Sequence, residues 1–390
     1  MKRIRWGMVG GGQGGFIGEV HRMAARLDDR YQLIAGALSS DPERARHSAR
    51  ECGIGKDRTY TDYREMARAE SSRPDGIEAV SIVTPNASHH AIAANFLDRG
   101  IHVICDKPLA TRLEDGRDLV ARAAKSDRLL GVTYNYSGYP MMRHARSLLA
   151  EGALGVLRVV QAEFVVGWLS VPLEHEGIKQ AWRTDPKEAG PSGVIADIGT
   201  HAYHLARFVT GLEVEQLSAD ISTFVPMRRL EDNAAIMLRF KGGARGTLWA
   251  SMVAAGETVG LRLRVYGEKG HIAWDQAFPD DLHLRLLDGT DQTLHRGGKV
   301  TLHAKGATRL IAGLPEGFIE AFGNLYRDYA EQIIARRENR PPDPMSLNAP
   351  TGADGVEGLA FVDAALKSAQ AGSGWIMPGS VADRRRPPQD

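Results

Sequence analysis

Over its first part the chain alternates short apolar runs with helical periodicities. Ile4–Val9 reads as a buried strand, Phe16–Leu27 as a helix, Leu33–Leu38 as a strand, and Pro42–Glu51 as a helix opened by Asp41-Pro42. Strand Ala79–Val83, helix His89–Arg99, strand Ile101–Cys105, helix Leu113–Ala124 and strand Leu129–Thr133 follow. Strands this apolar, each followed by a helix, predict a parallel sheet covered on both faces. The pattern changes near Tyr136. After a helix over Met141–Glu151, longer alternating strands are expected at Leu157–Val166, Glu213–Thr223, Asn233–Phe240, Ala244–Val253 and Gly260–Tyr266. More strands are expected within Ile272–Thr301, and helices over Phe318–Arg337 and Gly352–Ala371. Turns such as Lys241-Gly242-Gly243 between alternating strands predict an antiparallel sheet with one wet face.

The fold class expected is therefore α/β: a doubly wound parallel sheet over residues 1–136, then an α+β domain with a large, mainly antiparallel sheet over 137–375. Residues 376–390, with Arg384-Arg385-Arg386-Pro387-Pro388, read as a polar, frayed tail. A length of 390 residues suits two such domains. Charge adds an exclusion: 49 Lys+Arg against 48 Asp+Glu is not the basic excess of a nucleic-acid or membrane-surface binder. Two cysteines, Cys52 and Cys105, build no disulfide framework and fit a reduced compartment. No run approaches the ~20 apolar residues of a membrane span, and no signal-peptide pattern precedes Ile4. A cytoplasmic protein is expected.

Strand Ile4–Val9 runs into Gly10-Gly11-Gly12-Gln13-Gly14-Gly15-Phe16-Ile17-Gly18. Gly10, Gly12 and Gly15 fit a GxGxxG spacing at the first strand–helix junction, the context in which backbone amides approach a pyrophosphate. An acid gripping the ribose 2′-OH is expected at the end of the second strand. Ser39-Ser40 stand there instead, with Asp41 next and Arg44 one turn on. Two hydroxyls suit a 2′-OH or tolerate a 2′-phosphate, while Asp41 repels a phosphate; the reading is NAD, with NADP left open.

Two further groups carry chemistry. Cys105-Asp106-Lys107-Pro108 closes the fourth strand, and Thr84-Pro85-Asn86 followed by His89 closes the third. Carboxyl ends of adjacent strands face one crevice, so these residues read as a cofactor shelf. In Asp197-Ile198-Gly199-Thr200-His201-Ala202-Tyr203-His204, Asp197 and His201 share a helix face at i,i+4. Three readings stay open: an acid–base pair, histidines satisfied inside a domain interface, and metal ligation by Asp197, His201 and His204.

Taken together, these motifs resemble the glucose–fructose oxidoreductase/inositol dehydrogenase (Gfo/Idh/MocA) family. Asp106-Lys107-Pro108 is similar to that family's Glu-Lys-Pro signature, with Asp for Glu, and Asp197-Ile198-Gly199-Thr200-His201 to its Asp-x-Gly-x-His signature. The resemblance implies a Rossmann domain, Lys107, Asp197 and His201 as the catalytic set, no metal, and oxidation of a secondary hydroxyl on a cyclitol or sugar. The glycine loop is longer than the family's usual form, which moves the expected pyrophosphate contacts towards Gly12, Gln13, Phe16 and Ile17. Trp182-Arg183 resembles a Trp-Arg element at the family's domain junction, implying a role near nicotinamide or substrate. The cofactor set is completed by Gly10, Gly15, Ser39, Ser40, Thr84, Asn86, His89, Asp106, Lys107, Asn135 and Arg183; Tyr134, at the sheet edge, joins Lys107, Trp182, Asp197 and His201 as a substrate contact.

A homotetramer is also expected. Ala235, Met237, Leu248, Trp249, Met252, Leu261 and Leu263 make the second sheet apolar on both faces, and the resemblance implies sheet-to-sheet assembly. Two other functions are weighed: a metal-dependent hydrolase using Asp197, His201 and His204, and a non-catalytic NAD(H)-binding sensor.

Overall fold

The computed structural model describes residues 2–172 and 181–379. Its first sheet is parallel and five-stranded: β1 (Ile4–Gly10), β2 (Tyr31–Ala37), β3 (Ala79–Val83), β4 (His102–Cys105) and β5 (Leu130–Val132), in the order β2-β1-β3-β4-β5. Helices α1 (Phe16–Leu27), α2 (Pro42–Glu51), α3 (Tyr63–Ser72), α4 (His89–Leu97) and α5 (Leu113–Ser126) connect the strands. The strand order reverses beside β1, which opens a crevice at the carboxyl ends of β1, β3 and β4. α3 is absent from the sequence reading, although Asp62 caps it through the Arg64 amide and Met66, Ala67 and Glu70 form its buried face.

After α6 (Pro140–Ala150), β6 (Leu157–Val165), α7 (Pro186–Ala189) and α8 (Thr200–Thr210) come β7 (Val214–Ser222), β8 (Asn233–Phe240), β9 (Arg245–Ser251), β10 (Gly260–Gly267), β11 (Gly270–Asp275), β12 (Asp281–Leu286) and β13 (Asp291–His295). They form an eight-stranded sheet in the order β13-β12-β11-β10-β6-β9-β8-β7. It is antiparallel except that β6 and β9 pair parallel, because β6 reaches the sheet first and the later hairpins close around it. The short helix α9 (Leu302–Ala307) precedes α10 (Phe318–Arg337) and α11 (Gly352–Gln370).

These last two helices serve the first sheet. Phe322, Leu325, Tyr326 and Tyr329 of α10 share a core cluster with Trp6, Met8 and Val20, while Val356 and Leu359 of α11 pack with Leu119 and Val132 on the other face. The cover of the parallel sheet therefore comes partly from the far end of the chain. The expected tail also starts too early, since Ile376 exchanges both backbone hydrogen bonds with Leu217 of β7 (2.9 and 2.8 Å). The Arg384–Arg386 run lies outside the described residues.

One face of the second sheet packs on α8 and its neighbours, and the other is open. Leu248, Met252, Leu261 and Leu263 are buried in that packing. Only Ala235, Met237 and Trp249 of the expected apolar set stand on the exposed side, so that face is less apolar than the sequence count implies. Arg262 lies among them, paired with Asp275 at 2.8 Å and Glu163 at 3.2 Å.

Candidate active site

The glycine loop is shaped by backbone conformation. Gly10, Gly11 and Gly14 have φ of +80°, +69° and +77°, a region that costs an L-residue strain. The close approach of helix to loop falls on Gly18, not Gly15: a Cβ on Gly18 would stand 2.3 Å from the Gly11 Cα. Three of the expected pyrophosphate amides are already engaged: Gly12 N–H with the Leu38 carbonyl (3.2 Å), Gln13 N–H with Ser48 Oγ (2.9 Å), and Gly15 N–H with the Gly12 carbonyl (2.9 Å). That leaves Phe16 and Ile17 of the expected set. They open α1 behind Gly15, which has no side chain to cap them, so the first-turn amides suit an anion. At the end of β2, Ser39 Oγ accepts from the Asp41 amide and Asp41 caps α2 through the Arg44 amide (3.1 and 2.7 Å); Ser40 is exposed.

His89 is a brace rather than a cofactor contact. It is 1% exposed, and its two ring nitrogens lie 2.8 Å from the Pro108 and Thr84 carbonyls, tying the ends of β3 and β4 together. Asn86 reaches across to the Ala189 carbonyl (3.1 Å). Asp106 is likewise spent inside the protein, accepting from Thr133 Oγ1 at 2.7 Å beside His21. Thr84 receives the Ser88 hydroxyl (2.6 Å). Asn135, in the turn after β5, has a buried Nδ2 without a partner among the described residues, a donor that suits a bound group.

Facing this shelf is the segment before α8. It opens as a wide turn over Ile195–Gly199, and its start is capped by Glu231, whose carboxylate accepts from Ser192 Oγ and from the Gly193 and Ile195 amides (2.8 and 3.3 Å). Burial pushes the Glu231 carboxyl up. No sequence signal marked Glu231. The turn points Asp197 back at Lys107: the Lys107 ammonium donates to the Asp197 carboxylate and, at 2.6 Å, to its carbonyl. Arg183 Nε binds the other carboxylate oxygen at 3.2 Å, with its guanidinium 4.6 Å from the Trp182 ring and 5.8 Å from Trp168. Burial pushes Asp197 up, but Lys107 and Arg183 outweigh it and hold the carboxyl at about 2.

His201 does not hydrogen-bond to Asp197, as the shared helix face had implied, because the carboxylate is taken by the two cations. Its ring lies edge-on to Tyr136 at 4.9 Å and Tyr134 at 5.7 Å, and its buried Nδ1 has no partner among the described residues. Burial and then Lys107 hold it well below 6.5; Asp197 pulls the other way and loses. Proton uptake by His201 is thereby moved to the acid side of its ordinary range. Tyr134 is corrected as a substrate contact: it is 1% exposed, stacked on His204 at 4.5 Å, with its hydroxyl under Gly358. It supports the two histidines from behind. His204 is held at about 4 by burial and faces Tyr134, so the three proposed metal ligands do not converge. Among the described residues no group of three His, Cys, Asp or Glu side chains is placed to hold a metal.

Residues 4–134 match the model of an oxidoreductase family with an NAD-binding Rossmann fold, and residues 142–273 match the GFO/IDH/MocA C-terminal domain. The chain belongs to the GFO/IDH/MocA oxidoreductases. It is 36% identical to the uncharacterized oxidoreductase YfiI of Bacillus subtilis, over 96% of this chain and 97% of that one. Levoglucosan dehydrogenase of Pseudarthrobacter phenanthrenivorans is 27% identical over 96% and 98% of the two chains. Among solved structures, the inositol dehydrogenase homolog of Azotobacter vinelandii complexed with NAD+ superposes with a TM-score of 0.92 at 38% identity, covering 96% of this chain and 97% of that one. The protein is therefore an NAD-binding oxidoreductase. The uncapped start of α1 and the orphaned Asn135 amide are consistent with such a cofactor.

Proposed function

We propose that the protein oxidises a secondary hydroxyl on a cyclitol or sugar ring (an inositol, a pyranose or an anhydro-sugar) to a ketone. The observation that carries this reading is the convergence of Lys107, Asp197 and His201 at the carboxyl ends of the parallel strands, two of them charged and the third held neutral. Relatives named as inositol and levoglucosan dehydrogenases support the substrate class. NAD, when bound, supplies a two-electron acceptor for hydride from the carbinol carbon. The protein supplies the rest. Lys107 donates to the reacting oxygen and stabilises negative charge developing there. His201, held unprotonated, takes the hydroxyl proton. Asp197 fixes Lys107 and Arg183, while Trp182 and Trp168 flank the guanidinium and give the substrate an apolar wall. Phe16, Ile17, Asn86, Asn135 and the Ser39-Ser40 hydroxyls are assigned to the cofactor.

We further read residues 1–136 and 137–375 as cofactor and substrate domains. Among the described residues no helix is long and apolar enough to cross a membrane. With two free cysteines, a reduced, cytoplasmic setting is proposed. The open sheet face around Met237 and Trp249, 52% and 42% exposed, is proposed to join copies into a homotetramer. Light scattering at micromolar protein is expected to give a tetramer mass; a monomer would remove this assembly.

A panel of cyclitols, pyranoses and anhydro-sugars with NAD+ or NADP+, followed by absorbance of the reduced cofactor, tests the activity. Turnover with at least one polyol and NAD+ is expected, and Lys107→Met should lower it by ~10²–10³-fold. Turnover near wild type in that variant would take Lys107 out of the chemistry.

The pH dependence follows from the depressed His201. Oxidation needs the neutral ring, so kcat/KM should be flat through neutrality and fall only as pH drops below 6.5 into the range where His201 takes a proton. Ketone reduction needs the protonated ring and should strengthen over that same acid range. His201→Ala should flatten both limbs. An oxidation profile still rising above neutrality would place the proton acceptor elsewhere.

A further inference from the structure

Asp106 precedes Lys107, yet its carboxylate does not hold that lysine; the Lys107 ammonium instead reaches across the crevice to Asp197. A buried chain of polar groups ends on the Asp106 carboxylate. Trp6 Nε1 donates to Ser81 Oγ at 2.9 Å, Ser81 Oγ lies 2.6 Å from Tyr326 Oη, and Tyr326 Oη lies 2.7 Å from His21 Nδ1. The far ring nitrogen of His21 faces Asp106 Oδ1 at 3.8 Å, the oxygen that also accepts from Thr133. His21 and Ser81 are fully buried, and Trp6 and Tyr326 are 1% exposed.

The direction of this chain follows from its two ends. An indole N–H only donates and a carboxylate only accepts. The arrangement that pairs every group has Ser81 accepting from Trp6 and donating to Tyr326, which in turn donates to His21 Nδ1. A neutral His21 in this arrangement carries its proton on Nε2, aimed at Asp106. Among the described residues that Nε2 has no hydrogen-bond partner, and the Asp106 carboxylate is the acceptor it faces.

We propose that His21 is a positioning residue for Lys107: with Thr133 it keeps the Asp106 carboxylate turned inward, so that Lys107 is left to Asp197 and to the reacting oxygen. His21 lies on α1, the helix whose first turn is assigned to the cofactor, and so links that helix to the end of β4. The inference rests on the reading of Lys107 given above. When His21 is lost, the freed Asp106 carboxylate competes for the neighbouring ammonium.

Two readouts test it. In the apoprotein, reductive ¹³C-methylation labels the lysines, and the Lys107 resonance is identified by its absence in Lys107→Arg. His21→Leu should shift that resonance, and His21→Gln, which keeps a side-chain N–H donor, should restore it. On the polyol found by the panel, His21→Leu should lower kcat by about ten- to a hundredfold, the scale of a displaced reacting group, while the Kd for NAD+ stays near wild type. His21→Gln should recover much of that loss. Tyr326→Phe, which removes the donor to Nδ1 but keeps the ring, should move both readouts in the same direction as His21→Leu. The proposal is overturned if His21→Leu leaves the resonance and kcat unchanged. It is equally overturned if the Leu and Gln variants lose Tm and kcat together, because His21 would then be packing alone. The resonance needs no substrate, so it decides the positioning role even if no polyol in the panel is oxidised.

Discussion

The contact between Lys107 and Asp197 is the constraint on which the site depends. One partner ends β4 of the parallel sheet and the other sits on the wide turn before α8, 90 residues later. Two opposite charges this little exposed are costly to leave unpaired. Their pairing therefore ties the two walls of the crevice together and sets the ionisation of its groups. Lys107 and Arg183 keep Asp197 ionised against its burial, and Lys107 adds to burial in keeping His201 neutral. In the proposed reaction this lets His201 serve as proton acceptor beside Lys107 as donor without the two neutralising each other.

The surrounding structure can be understood as support for that contact. Glu231 replaces a missing helix cap, so the turn carrying Asp197 starts at a fixed place. His89 ties Thr84 to Pro108, and the Tyr134 ring lies flat against His204 behind His201. Each of these is a buried polar or aromatic group whose partners come from distant parts of the chain.

That distance explains what the sequence could and could not disclose. The parallel sheet was legible because its strands are mostly apolar and some of its helices carry their own start signals, such as Asp41-Pro42. Lys107, Asp197 and His201 were legible because each lies in a short local motif. The glycine pattern was misjudged in one respect. Gly18, outside the spacing, makes the closest approach, and only the packing of α1 against Gly11 reveals it. Tyr134 and His89 were assigned to ligands because polar residues at strand ends usually face the crevice; burial by α11 and by the Pro108 loop decided otherwise. The roles of Glu231, Trp168 and His21 had no local signature, since each depends on contacts made by folding. The parallel pairing of β6 with β9 was hidden for the same reason.

A double-mutant cycle on Lys107 and Asp197 bears most directly on this account. Turnover of the polyol identified by the panel would be measured for Lys107→Met, Asp197→Asn and the double variant, each confirmed to be folded. If the two side chains act as one unit, removing the second after the first costs little, and the double variant resembles the weaker single one. Losses that simply multiply would mean that the two residues act independently, and the ion pair would no longer explain how the site is held together.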